Sequence, residues 1–158
     1  MAKLPDYDTL LKSYPNMAAE QVKTLIGGRV DADYITNACT LRVTRALNYS
    51  NAKVPFIKDE DDKQQTLKGA DGLWYIFRVR ILTGYLTGKY GKPNVTVTAK
   101  KGEGAKTDTL IGIKGIIGME VAGWSDATGH YTLWDGKACV DATDYFPKAV
   151  KVMLWKAA

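Results

Sequence analysis

The sequence predicts an α+β fold, with a helical first half packed on an antiparallel sheet. Three observations carry this. Apolar residues recur at helical spacing early in the chain, clearest at Ala38, Leu41, Ala46 and Leu47. β-Rich runs fill the later part, as in the alternating Val95, Val97 and Ala99 and the closing VKVMLW. Helices come first and strands later, with no internal repeat. A chain of 158 residues favours one domain, 1–158, with enough apolar residues for a real core.

The elements follow in order. Asp6 to Tyr14 is a first helix with Leu10 and Leu11 buried, stopped by Pro15 and Asn16. Ala18 to Leu25 is a second, ended by Gly27 and Gly28. RVDADYIT connects it to a third helix, which Asn37 caps and Asn48 to Asn51 end. Residues 58–72 are charged and read as an exposed loop. Its cluster Asp59-Glu60-Asp61-Asp62 lacks the alternating ligands and turn glycine of a calcium loop, so it reads as solvated charge.

LWYIFRV, from Leu73 to Val79, is a short strand or a lead-in to the helix Ile81 to Lys89, which Gly91 and Pro93 end. Val95, Val97 and Ala99 lie on a half-buried strand, and KKGEGAKTD is a turn. Further strands are expected at Ile113 to Val121, at His130 to Trp134 with a turn at Asp135-Gly136, and at Val150 to Trp155, which closes the sheet. The glycines of IGIKGIIG do not open a helix after a strand, so they mark bends or close packing, not a phosphate loop.

Composition narrows the function classes. The chain carries 22 Lys plus Arg against 17 Asp plus Glu, a net charge of +5 that suits an anionic partner such as an acidic polymer. The positive charges are scattered, with no zinc-finger spacing and no basic stripe interleaved with aromatics, so no nucleic-acid partner is expected. No apolar run approaches the ~18 residues of a membrane span, so membrane insertion is not expected. MAKLPDYDTLLKSYP lacks the apolar core of a signal peptide, which implies another export route if the protein leaves the cytoplasm.

The chemistry centres on NACTLRVTRALN. Thiol catalysis needs a thiolate, which a helix N-terminus and a nearby imidazolium both favour. With Asn37 as cap, Cys39 falls in the first turn, where unpaired N–H groups can also hold an oxyanion. The one histidine, His130, follows Gly129 at a strand start, where the glycine would leave room for a substrate. Its orienting carboxylate would be Asp126, Asp135, Asp141 or Asp144. Asp135 has a strong alternative role as turn-former. Spacing leans toward Asp141, which a returning strand would bring beside His130. On residue types alone a structural Cys39 is the commoner reading; the order Cys-helix then His-strand points toward a papain-like arrangement.

Four segments carry a resemblance over nearly the whole chain: IGGRVDADYITNACTLRVTRALNYSNAKVP, GADGLWYIFRVRILTGYLTGKYGKP, KGIIGMEVAGWSDATGHYTLWDGKAC and YFPKAVKVMLWK. In order and spacing they resemble family four of the type VI secretion amidase effectors. The resemblance implies an NlpC/papain-like fold and a cysteine amidase toxin that cuts the γ-D-glutamyl–meso-diaminopimelate bond of peptidoglycan stem peptides. It implies delivery by the type VI machinery into a rival's periplasm, a cognate immunity protein that blocks the cleft, and no metal or cofactor. The family's nucleophile, base and aspartate fall on Cys39, His130 and Asp141. Asp135 falls where the family also accepts asparagine.

Arg42, one turn after Cys39, is a candidate for a substrate carboxylate or for a salt bridge within the fold. Trp124 and Trp134 flank His130 as candidate cleft walls or buried aromatics, and Gly129 as substrate space. Cys139 is a spectator thiol or a disulfide partner. Two other readings stand beside the effector: a resident or phage wall hydrolase of the same chemistry, and a non-catalytic basic binding module with a structural disulfide.

Overall fold

The computed structural model describes residues 1–122 and 129–158. Three helices open it: α1 (Tyr7–Ser13), α2 (Ala19–Ile26) and α3 (Cys39–Asn48). A hairpin of β1 (Thr66–Lys68) and β2 (Trp74–Ile76) follows, then α4 (Val79–Tyr90). The main sheet contains β3 (Val95–Thr98), β4 (Gly115–Val121), β5 (Gly129–Trp134) and β6 (Ala149–Lys156). All its pairings are antiparallel, in the order β3-β6-β4-β5. The α+β expectation holds. Among the described residues no helix is long and apolar enough to cross a membrane.

The apolar pattern explains most elements and corrects some. In α1 the core takes Tyr7 and Leu10, whereas Leu11 is 42% exposed: adjacent residues on a helix face about 100° apart, and only one can point inward. α2 ends at Gly27, whose φ of 66° is a conformation that disfavours side chains. β6 does not close the sheet at an edge; it lies between β3 and β4, which its buried VMLW stretch suits. The expected loop 58–72 is only partly a loop. It contains β1, and Gln65 and Thr66 are fully buried there.

Glycines let β4 approach its neighbours. A Cβ on Gly115 would stand 2.0 Å from the Trp155 carbonyl oxygen, and one on Gly118 would meet the Tyr131 ring at 2.5 Å. These close contacts are the packing role expected for IGIKGIIG.

α3 is the keystone of the functional half. Eight of its ten residues are buried, including Cys39, Leu41, Val43 and Leu47. One side joins Tyr7, Leu10, Tyr131 and Trp155, and another joins Val22, Ile26 and Tyr75. Burying a Leu or Val side chain contributes about 1.5–3 kcal/mol, so α3 is held firmly against β5. That contact carries the cysteine end of the helix to the histidine end of the strand.

Candidate active site

Cys39 is the first residue of α3, and the position before it, Ala38, makes no side-chain cap. Asn37, the expected cap, therefore lies one residue before the observed N-cap. Its Oδ1 accepts the Cys39 N–H at 3.0 Å, a short-range turn that Asn favours. The thiol itself is 1% exposed and free of any disulfide.

His130 sits at the second position of β5, paired with Met119 of β4. Its Nε2 lies 2.7 Å from Asp141 Oδ2, and both side chains are 8% exposed. Cys39 also acts on the ring, as one of the groups that raise its pKa. With Nε2 committed to the carboxylate, Nδ1 is the ring nitrogen left for a further partner. The ring also packs edge-on against Tyr145, with centroids 5.0 Å apart.

The electrostatics follow from these contacts. Burial pulls the His130 pKa down, but hydrogen bonds to Asp141 and Cys39 outweigh it and raise the pKa from 6.5 to about 9. Burial pushes the Asp141 carboxyl upward, and hydrogen bonds from His130 and Thr143 more than reverse that, holding it below its ordinary range. The carboxylate is well anchored: Oδ1 accepts the Thr143 hydroxyl at 2.6 Å and the Thr143 N–H at 3.1 Å.

Asp141 reaches His130 by a different route from the one expected. No returning strand forms. After β5 the chain pairs only briefly, with Val140 N–H donating to the Leu133 carbonyl and Cys139 bridging Trp134. Asp141 then opens a turn in which Ala142 has a φ of 64°. Asp135 is the turn-former: its Oδ1 accepts the N–H groups of Lys137 and Ala138 at 2.8 and 2.7 Å. Asp144 accepts the Phe146 N–H. Trp124 and Asp126 lie outside the described residues.

The other candidates divide. Arg42 forms no ion pair among the described residues; its Nε and Nη2 both donate to the Met17 carbonyl, at 3.2 and 2.9 Å. With Asn37, His130 and Asp141 it lines a cavity of about 570 Å³. Trp134 is a core residue, 1% exposed, whose Nε1 donates to the Leu110 carbonyl. Gly129 has a packing reason in place of substrate space, since a Cβ there would stand 2.0 Å from the Met119 carbonyl oxygen. Cys139 is free and buried under Trp134 and Phe146 in the second core cluster. Among the described residues no group of three or more His, Cys, Asp and Glu is placed to hold a metal.

Thr143 and Tyr145 were missed in the sequence. The spacing Asp141-x-Thr143 is a signal for a local carboxylate–hydroxyl bond. Nothing in the sequence marks Tyr145 as the ring beside His130.

A family profile described as type VI secretion system (T6SS), amidase effector protein 4, or Tae4, matches residues 35–155. The chain belongs to the Tae4 family. It is an amidase effector of the type VI secretion system. Solved Tae4 structures share its fold throughout. Tae4 from Salmonella typhimurium, in the effector–immunity system Tae4/Tai4, is 30% identical with a TM-score of 0.82, over 98% of this chain and 99% of that one. Tae4 from Enterobacter cloacae is 28% identical with a TM-score of 0.83, over all of both chains. The Tae4–Tai4 effector–immunity complex from the same organism matches at 27% identity and a TM-score of 0.82, over 98% and 99%. No match to a curated protein was found.

Proposed function

We propose that this Tae4-family chain is a single catalytic domain of NlpC/papain type. It hydrolyses the γ-D-glutamyl–meso-diaminopimelate bond of peptidoglycan stem peptides through Cys39, His130 and Asp141. The observation that carries this reading is the buried hydrogen bond between Asp141 and His130, on a ring whose pKa Cys39 also raises. A helix-borne cysteine packed on a strand-borne histidine supports the papain-like assignment.

Each group has a defined task. His130 takes the thiol proton, and Asp141 fixes the ring and stabilises the imidazolium. The Cys39 sulfur attacks the γ-carbonyl carbon. The oxyanion forms beside the first turn of α3. Asn37 already engages the Cys39 N–H through Oδ1, so its Nδ2 is the side-chain donor left there. The C–N bond then breaks, and the leaving amine takes the proton from His130. Water, deprotonated by His130, attacks the thioester and releases the γ-carboxylate and the thiol.

A net charge of +5 favours approach to stems that carry free carboxylates. The substrate places the site of action in a recipient's periplasm, reached through the type VI machinery. Tae4 relatives are solved with Tai4 immunity proteins, which supports a cognate immunity protein for this chain that blocks the cleft.

The test is mass spectrometry of muropeptides released from purified sacculi. The expected products end in free γ-D-glutamate and a free diaminopimelate amine, and Cys39→Ala releases neither. Products cut elsewhere, or equal release by the variant, would overturn the reading.

A further inference from the structure

A second groove of about 580 Å³ shares Thr36 and Asn37 with the cavity at His130. The two therefore meet at the residue whose side chain holds the Cys39 N–H. The groove also reaches the histidine strand, because its lining residues Met119 and Glu120 pair in register with His130 and Gly129. Its charged lining residues are Arg78, Arg80 and Glu120.

Among the described residues, Arg80 and Glu120 have no partner within the fold that explains their charge. Arg78 is the N-cap of α4 and Arg80 lies in its first turn, which contains no acidic residue. Cations at the positive end of a helix dipole cost the helix stability. Arg80 forms no ion pair or hydrogen bond among the described residues, although it also borders a shallow cavity containing Asp59 and Glu60. Glu120 sits opposite Lys151 of β6 and makes no ion pair with it.

Arg78 is held in place. Its Nη1 donates to Gln65 Oε1 at 2.7 Å, and Gln65, 1% exposed, donates from Nε2 to Asp59 Oδ2 at 2.8 Å. Asp59 is itself fixed by the N–H groups of Asp61 and Lys63 on its Oδ1. The acidic loop thus braces an arginine that also lies over the Phe77 ring at 4.8 Å, leaving the N–H groups other than the one on Gln65 for a ligand.

We propose that this groove is the subsite for the side chain of diaminopimelate: Arg78 and Arg80 bind its terminal carboxylate, and Glu120 accepts an N–H from the adjacent nitrogen. The inference rests on the preceding reading of the cleaved bond. That nitrogen keeps an N–H as a free ammonium or as a cross-link amide, so Glu120 serves both forms. On the other side of Asn37, Arg42 is the cation available to the α-carboxylate of D-glutamate, because His130 and Asp141 satisfy each other. The scissile bond then lies between two arginine poles.

The test compares synthetic stems that differ only at this carboxylate: diaminopimelate, its amidated form, and lysine, which lacks the group. The wild type favours the carboxylate-bearing stem. Charge-assisted hydrogen bonds of this kind are worth about 10- to 100-fold, and Arg80→Gln and Arg78→Gln reduce the preference by that factor through KM. Arg80→Lys keeps most of it. Arg80 is exposed and without a hydrogen bond among the described residues, so its substitution leaves the core intact and carries the test; Arg78→Gln also removes the donor to buried Gln65, so its Tm is measured alongside. Undiminished preference in the Gln variants, with cleavage still at the γ-D-glutamyl bond, overturns the subsite alone. No cleavage of that bond by the wild type overturns the subsite together with the reading beneath it.

Discussion

Cys39 and Cys139 are both free thiols, and they are 1% and 6% exposed. By burial alone both are core residues. Their neighbours separate them. Cys39 begins a helix and raises the pKa of an imidazole that a carboxylate holds by its Nε2. Cys139 follows the hairpin turn beneath Trp134, and burial, with the nearby Asp141 charge, pushes its thiol up to about 12. An imidazole acts at one sulfur and a threonine hydroxyl at the other. On the proposed reading it is the partner, not the depth, that distinguishes the nucleophile from a packing thiol.

The sharpest way to break this contrast is to remove each sulfur in turn. Cys39→Ala is expected to lower kcat by about 10³-fold or more, since nucleophile and base act as a unit, with a circular dichroism spectrum like the wild type's. Asp141→Asn is expected to cost about 10²–10³-fold, because it removes the group that orients and charges the ring. It should also move the limb of the kcat/KM profile that reports His130 down from about pH 9, as the carboxylate is a main cause of the raised His130 pKa. An unmoved limb would show that Asp141 does not set the titration of His130. Cys139→Ala is expected to leave turnover within a few-fold and to cost about 1 kcal/mol of stability for a small buried group, read as a lower Tm.

The smallest effect is on the pH dependence of stability. The raised His130 pKa contributes stability that is full below 6.5 and lost as pH rises through about 9. The lowered Asp141 pKa contributes stability that is present above 3.8 and lost on acidification through its folded value. The Tm difference between wild type and Asp141→Asn should therefore peak between these limits and shrink on either side, as measured by thermal melts across pH.

Much of this was legible in the sequence. Asn37, Cys39 and the apolar positions of α3 mark a helix start because their signals are local: a polar residue before a helical period. The single His130 and the run HYTLW mark a strand in the same way. Asp141 was favoured for a pairing that does not form; it arrives by a turn whose left-handed residue, Ala142, has no sequence signature. β1 was hidden because Gln65 and Thr66 are polar, and each is satisfied by a partner on another segment, Arg78 for Gln65 and the Ile57 N–H for Thr66. Gly129 was read for a substrate and is required by β4, a contact only the strand pairing reveals. What is set by neighbours in sequence could be read; what is set by neighbours in space could not.

The central claim is tested most directly by alkylation of the native protein with iodoacetamide, followed through activity and peptide mass spectrometry together. Loss of activity should track modification of Cys39, with Cys139 unmodified until the protein is unfolded, and Asp141→Asn should slow the reaction at Cys39. Modification of Cys139 at an equal rate, or full activity after Cys39 is alkylated, would contradict the account.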